Sequence, residues 1–248
     1  METDKIYLGD AYELIKEVPD RSIDLIVTDP PYLYVSGGGG GCFGARQRKC
    51  RTEIMGMNKG FDFSILEQFE RVEKNTNVYI WCSLKEVSSL LSYYEKKGCV
   101  VALLTWHKTN PFPTVYPNYL INDTEYCVFA RKKAPFFGSV KSRTTFMISS
   151  ANIGDKKDFH HPTIKPLPYI ENLIRNSSSE GGVVLDPFAG SGTTCVAAKE
   201  LGRHYIGFEI NEKWHKIAVD RINGITADGQ TSIFTDFEEL EKNDGQPR

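Results

Sequence analysis

Ile23-Asp24-Leu25-Ile26-Val27-Thr28-Asp29-Pro30-Pro31-Tyr32 runs an apolar stretch into two prolines. Residues 23–28 read as a buried parallel strand. The prolines then stop both ladder and helix, leaving a carboxylate and a phenol at the strand's carboxyl end. In open α/β sheets, ligands bind at that end. The prolines also stiffen the backbone, so the carbonyls beside Asp29 point in set directions. An acid, stiff carbonyls and a flat aromatic face suit a planar ring bearing an exocyclic amine. The plainer alternative is a strand-ending turn with a solvated Asp and a packing Tyr.

Upstream, Lys5-Ile6-Tyr7-Leu8 predicts a short strand ending at Gly9-Asp10, and Ala11 to Val18 has helical spacing before Pro19. Strand, helix, strand in this order is a right-handed parallel crossover. It puts Asp10 on the same sheet edge as Asp29, either as a helix cap or as a ligand contact. Downstream, Gly37 to Gly41 and the cations Arg46, Arg48, Lys49 and Arg51 mark residues 33–60 as a long loop beside the site. We expect it to be mobile without a ligand, and its cations either meet phosphates or are simply solvated. Helices near residues 63–73 and 85–96 alternate with strands at 78–82 and 100–106, and 124–130 looks like a last strand before the pattern fades. Residues 131–161 lack a clear period. Their basic residues, Lys141 and Arg143 among them, interleave with Phe136 and Phe137, which suits either nucleic acid or an anchored surface excursion.

The second anchor is Val183-Val184-Leu185-Asp186-Pro187-Phe188-Ala189-Gly190-Ser191-Gly192-Thr193-Thr194. An apolar strand enters a Gly-rich turn that opens a helix, where a ligand can approach the backbone closely. The next strand, 204–208, ends in Glu209, placed to grip a ribose diol. With neither G-x-G-x-x-G nor a P-loop lysine, the pattern suits an adenosine-type ligand lacking a pyrophosphate.

A length of 248 residues can bury a sizeable core, and we read 1–248 as a single domain. The net charge of −2 gives no global signal for nucleic acid, so any basic patch is local. Six cysteines without a C-x-x-C pair argue against disulfides and zinc, and His160-His161 lacks partners at ligand spacing, so no metal is assigned. No apolar stretch reaches membrane-spanning length, and the first residues do not resemble a signal peptide. A soluble cytoplasmic protein is expected.

Asp-Pro-Pro-Tyr, then His-Pro-Thr-x-Lys-Pro, then Asp-Pro-Phe-x-Gly-Ser-Gly-Thr-Thr together resemble the amino-methyltransferases of DNA in their β-group order. The resemblance covers residues 5–223. It implies an α/β Rossmann-like methyltransferase fold with a circularly permuted motif order, in which a seven-stranded, mostly parallel sheet carries helices on both faces. It further implies S-adenosyl-L-methionine over Asp186, Pro187, Phe188, Ala189, Gly190, Ser191 and Gly192, with Glu209 on the ribose and Asp10 near the adenine. Thr163 and Lys165 would meet the methionine end. Asp29, Pro30, Pro31 and Tyr32 would form the catalytic loop, acting on a base flipped out of DNA. An Asp opening that tetrapeptide resembles the adenine-N6 enzymes, with cytosine-N4 methylation or a catalytically inactive nucleic-acid-binding relative as alternatives. Only residues 131–161 stand where such enzymes carry a long target-recognition segment. A short segment limits how many base pairs can be read, so duplex DNA with a short site or loose specificity, single-stranded DNA and a homodimer all remain open.

Overall fold

The computed structural model describes residues 1–31, 62–111, 120–150 and 164–225. Tyr32, Arg46, Arg48, Lys49, Arg51 and Thr163 lie outside the described residues, as do the rest of the loop 33–60 and the tail from Asp228.

The first part of the chain forms β1 (Lys5–Leu8), α1 (Ala11–Leu14), a 3-10 turn (Ile15–Glu17), β2 (Leu25–Thr28), α2 (Ile65–Val72) and β3 (Asn77–Cys82). Then come α3 (Leu84–Lys96), β4 (Val100–Lys108), β5 (Thr124–Arg131), a 3-10 turn (Val140–Ser142) and β6 (Phe146–Ser149). The remainder is α4 (Leu167–Ser177), β7 (Val183–Asp186), α5 (Thr193–Glu200), β8 (His204–Glu209) and α6 (Glu212–Ile222).

Local chemistry accounts for these boundaries. In α2, Ile65, Leu66, Phe69 and Val72 are all buried, one apolar stripe at helical spacing. Ahead of α3, the Ser83 amide donates to the Glu86 carboxylate at 2.9 Å, half of a capping box. A proline in the first turn of α4 costs no hydrogen bond, and Asn211 caps α6 by accepting from the amides of Lys213 and Trp214.

The strands order as β1-β8-β7-β2-β3-β5-β4-β6 in one sheet. All run parallel except β5, which opposes both β3 and β4. Among the described residues the sheet thus has eight strands where seven were expected. The extra one, β6, pairs parallel with β4 through Thr105 and Phe146. It lies in the stretch 131–161 that showed no period, because four residues are too few to reveal one.

Helices cover both faces. Val78, Ile80 and Cys82 of β3 point into the core beneath α2 and α3, while Tyr79 and Trp81 point into the core beneath α4. A strand buried on both sides explains the continuous apolar run. From β2 the chain moves outward to β3, and from β7 it moves the opposite way to β8. The adjacent pair β2–β7 is therefore the switch point, with a crevice at the carboxyl ends of its strands.

The far end of the molecule carries a buried acid. Glu73, just past α2, is 3% exposed; one oxygen accepts the Asn77 amide at 2.8 Å, and the other has no partner among the described residues. Burial pushes its carboxyl up to about 8, against the opposing pull of the Asn77 amide. The folded protein keeps a proton that the unfolded chain releases near 4.5. Its contribution to stability is therefore complete at low pH and is lost as pH rises from 4.5 through about 8. Glu73→Gln, which stays neutral, should remove this slope. Urea denaturation across that window should show the parent losing stability relative to the variant, by at most about 1.4 kcal/mol per pH unit. Equal slopes would mean that Glu73 is already ionised in the fold.

Candidate active site

The crevice is closed at its base by one buried hydrogen bond. The Thr28 hydroxyl at the end of β2 donates to Oδ1 of Asp186 at the end of β7, at 2.8 Å. The same oxygen accepts the Phe188 amide at 3.1 Å, and Thr194 donates to the Val27 carbonyl at 3.3 Å. Burial pushes the Asp186 carboxyl up to about 7, while its bonds from the Thr28 hydroxyl and the Phe188 amide act in the other direction. Asp186 is thus engaged in shaping the turn.

The turn itself needs its glycines. Gly190 and Gly192 have φ of 53° and 81°, and a Cβ on Gly192 would stand 3.0 Å from that of Ala218 on α6. Across the turn, Glu209 accepts the Gly190 amide at 2.8 Å with one carboxylate oxygen and the Asn211 amide at 2.8 Å with the other. Burial raises its pKa, and those two amides oppose the rise. β1 closes the far side, where the Gly9 amide meets the Glu209 carbonyl at 2.9 Å. Asp10 caps α1 through the Tyr12 amide at 2.8 Å and remains exposed. The Tyr12 ring meets the half-buried Phe188 ring edge-on, with centroids 6.2 Å apart. Between β1 and β7 the protein therefore presents two aromatic rings, two carboxylates and backbone left bare of side chains at Gly190 and Gly192. That donor set fits an adenosine: a flat base, a diol for a carboxylate, and close approach at Gly190.

Asp29 follows β2 directly. Its Oδ2 accepts from the Lys165 ammonium at 2.6 Å. The Lys165 side chain is only 6% exposed and lies 4.9 Å from the centre of the Trp81 ring. It also meets Glu125 Oε2 at 3.0 Å, as an ion pair without the alignment of a hydrogen bond. Glu125 in turn pairs with Lys108 at 2.5 Å. Burial works against the Lys165 charge, yet Asp29 and Glu125 outweigh it and hold its pKa above the ordinary lysine value. Burial likewise opposes the Glu125 charge, but Lys165 and Lys108 bring that carboxyl down to about 2.

Of the residues singled out in the sequence, Asp29, Pro30, Pro31, Lys165 and the turn 186–192 assemble along the crevice, with Glu209 and Asp10 on its far side. Lys141 and Arg143 are not brought there. Arg143 stacks over Phe136 at 4.9 Å beside Arg131, whose register opposite Asn77 and Val100 marks the amino edge of the sheet. Neighbouring Ser142 bonds Asn176 at the far end of α4. Glu125 and Lys108 were missed. Glu125 is the second residue of its strand, and only the reversed direction of β5 carries it to the site edge, opposite Trp106.

Comparison with known proteins places the chain in a family. A family described as DNA methylase matches residues 23–220. The type II methyltransferase M2.DpnII of Streptococcus pneumoniae is 30% identical over 243 residues, covering 86% of this chain and 87% of the relative. M2.LlaDCHI of Lactococcus lactis subsp. cremoris is 29% identical over 244 residues, covering 87% of each. Among solved structures, the M1.HpyAVI–SAM complex superposes with a TM-score of 0.64 at 29% identity, covering 88% of this chain and 98% of that one. The cytosine-N4-specific PvuII DNA methyltransferase, at 18% identity and a TM-score of 0.66, shares the fold. The chain belongs to the DNA methylase family and is an S-adenosylmethionine-dependent DNA methyltransferase.

Proposed function

We propose that the chain, acting as one catalytic domain, methylates the N6 amine of an adenine flipped out of duplex DNA. The observation that carries this reading is Asp29, held through Lys165 at the crevice edge beside the turn 186–192. An exocyclic amine is a poor nucleophile because its lone pair is delocalised into the ring. Asp29 and the Pro30 carbonyl accept its two N–H bonds and draw the nitrogen toward tetrahedral geometry. Tyr32 stacks on the extruded base. Glu209 holds the ribose of the cofactor, Phe188 and Gly190 line its adenosine, and Asp10 lies near its adenine. When bound, S-adenosylmethionine supplies an activated methyl group on a sulfonium. The protein's part is therefore mainly positioning, with Asp29 taking the surplus proton late, once the alkylated nitrogen has become strongly acidic. Adenine is preferred because Asp opens the tetrapeptide. The DNA backbone is met by Arg46, Arg48, Lys49 and Arg51, which follow that tetrapeptide in the chain.

Unmethylated DNA incubated with the protein and S-adenosylmethionine should yield N6-methyladenine nucleosides by mass spectrometry. N4-methylcytosine would overturn the base assignment. Asp29→Ala should reduce transfer by at least about a thousandfold, or about 4 kcal/mol of activation free energy, with cofactor binding retained. Glu209→Ala should weaken cofactor binding roughly ten- to hundredfold by calorimetry, as expected for losing hydrogen bonds to a charged acceptor. Unchanged affinity would remove Glu209 from the ribose site.

A further inference from the structure

Four charged side chains form a line across the carboxyl edge of the sheet. Lys108 ends β4, Glu125 stands second in β5, Lys165 precedes α4, and Asp29 follows β2. The successive contacts are 2.5, 3.0 and 2.6 Å, and the signs alternate. Side-chain exposures along the line are 16%, 23%, 6% and 24%, so water screens it weakly. Two aromatic rings lie close to the ammoniums: Trp81 is 4.9 Å from Lys165 and Trp106 is 5.2 Å from Lys108. The reaction as derived above uses only Asp29. Taking four ions out of water is costly, and well-packed apolar residues would often serve stability as well or better. Stability is thus a weak reason for the line, and its position at the reacting edge points to a task there.

That task follows from what Asp29 has to do. A carboxylate that accepts from a weakly basic amine must be held still and must keep its negative charge on oxygen. A buried ammonium paired with Asp29 alone would hold it still, but would also draw on that charge and weaken it as an acceptor. Dividing the ammonium between two carboxylates separates the two effects. Lys165 makes its aligned hydrogen bond to Asp29 and its unaligned ion contact to Glu125, so orientation comes from the first and charge balance from the second. Lys108, on the other oxygen of Glu125, keeps that carboxylate ionised. Two cations and two anions then sum to zero.

We propose that Glu125 is a positioning residue for methyl transfer: by sharing Lys165, it leaves Asp29 both fixed and strongly accepting toward the substrate amine. The proposal rests on Asp29 being the acceptor for that amine. Lys108 supports Glu125 and has the smaller effect.

Steady-state kinetics with DNA and S-adenosylmethionine test this on the full chain, comparing Glu125→Gln, Glu125→Asp and Asp29→Ala with the parent. Glu125→Gln should lower kcat at least about tenfold, a 1.4 kcal/mol rise in the barrier, while both KM values stay within about twofold. Glu125→Asp should recover most of the loss, which a purely volumetric role would not require. A kcat for Glu125→Gln within about twofold of the parent, with Asp29→Ala inactive, overturns the proposal and leaves the site assignment standing. An active Asp29→Ala overturns the site assignment itself, and this proposal with it. Should Glu125→Gln fail to bind cofactor by calorimetry, the double variant Glu125→Gln with Lys108→Met removes the stranded lysine, and the same thresholds apply to it.

Discussion

The Thr28 hydroxyl and the Asp186 carboxyl meet in a place shut off from water, and both halves of the candidate active site are set from that contact. Each partner is the last residue of its strand and stands immediately before one of the two turns that border the crevice: Thr28 before Asp29, Asp186 before Pro187. β2 and β7 pair in register through Leu25 with Val184 and Ile26 with Leu185. A slip of one residue would turn every side chain to the other face and separate the two turns. Burial penalises a charged Asp186, and the Thr28 hydroxyl and the Phe188 amide offset that penalty. The arrangement therefore depends on a complete set of donors, because a buried carboxyl short of partners is among the costlier defects a fold can carry.

Much of this could be read from the sequence, for reasons that also explain what could not. The strand at residues 78–82 and the helix at 85–96 fall within a residue of their observed bounds, because period and capping are local properties. The strand expected over residues 23–28 narrows to Leu25–Thr28, since Ile23 makes only a bridge to Glu73. The helix expected over residues 11–18 tightens into a 3-10 turn after Leu14, as chains often do near a stop such as Pro19. Strand direction is not local. Nothing in Thr124–Arg131 says that it runs backwards, and so nothing marked Glu125 as a site residue.

Lys165 shows the same limit in another way. The motif around it implied a contact with the methionine end of the cofactor, whereas its ammonium is found on Asp29 and Glu125. A lysine in sequence is a charge without an address; burial at 5% exposure is what commits it to partners inside the protein. For Asp10, the sequence allowed a helix cap or a ligand contact. The cap is realised, and the position beside Glu209 keeps it at the crevice. The basic stretch from Arg131 divides similarly, since Arg131 and Arg143 flank Phe136 in a stacked cluster on the amino edge.

The strand order has a consequence for how the chain is made. Of the described strands, β7 and β8 are synthesised last, yet they occupy the gap between β1 and β2, which are synthesised first. β1 has β8 as its strand neighbour, and its Lys5 waits for Ile206. Contacts so distant in sequence form slowly, because the loop must close before they contribute anything. Until residue 209 has left the ribosome, β1 lacks its partner strand β8, and β2 lacks β7 along one edge. Those two edges are where a truncated or stalled chain would pair with the wrong partner.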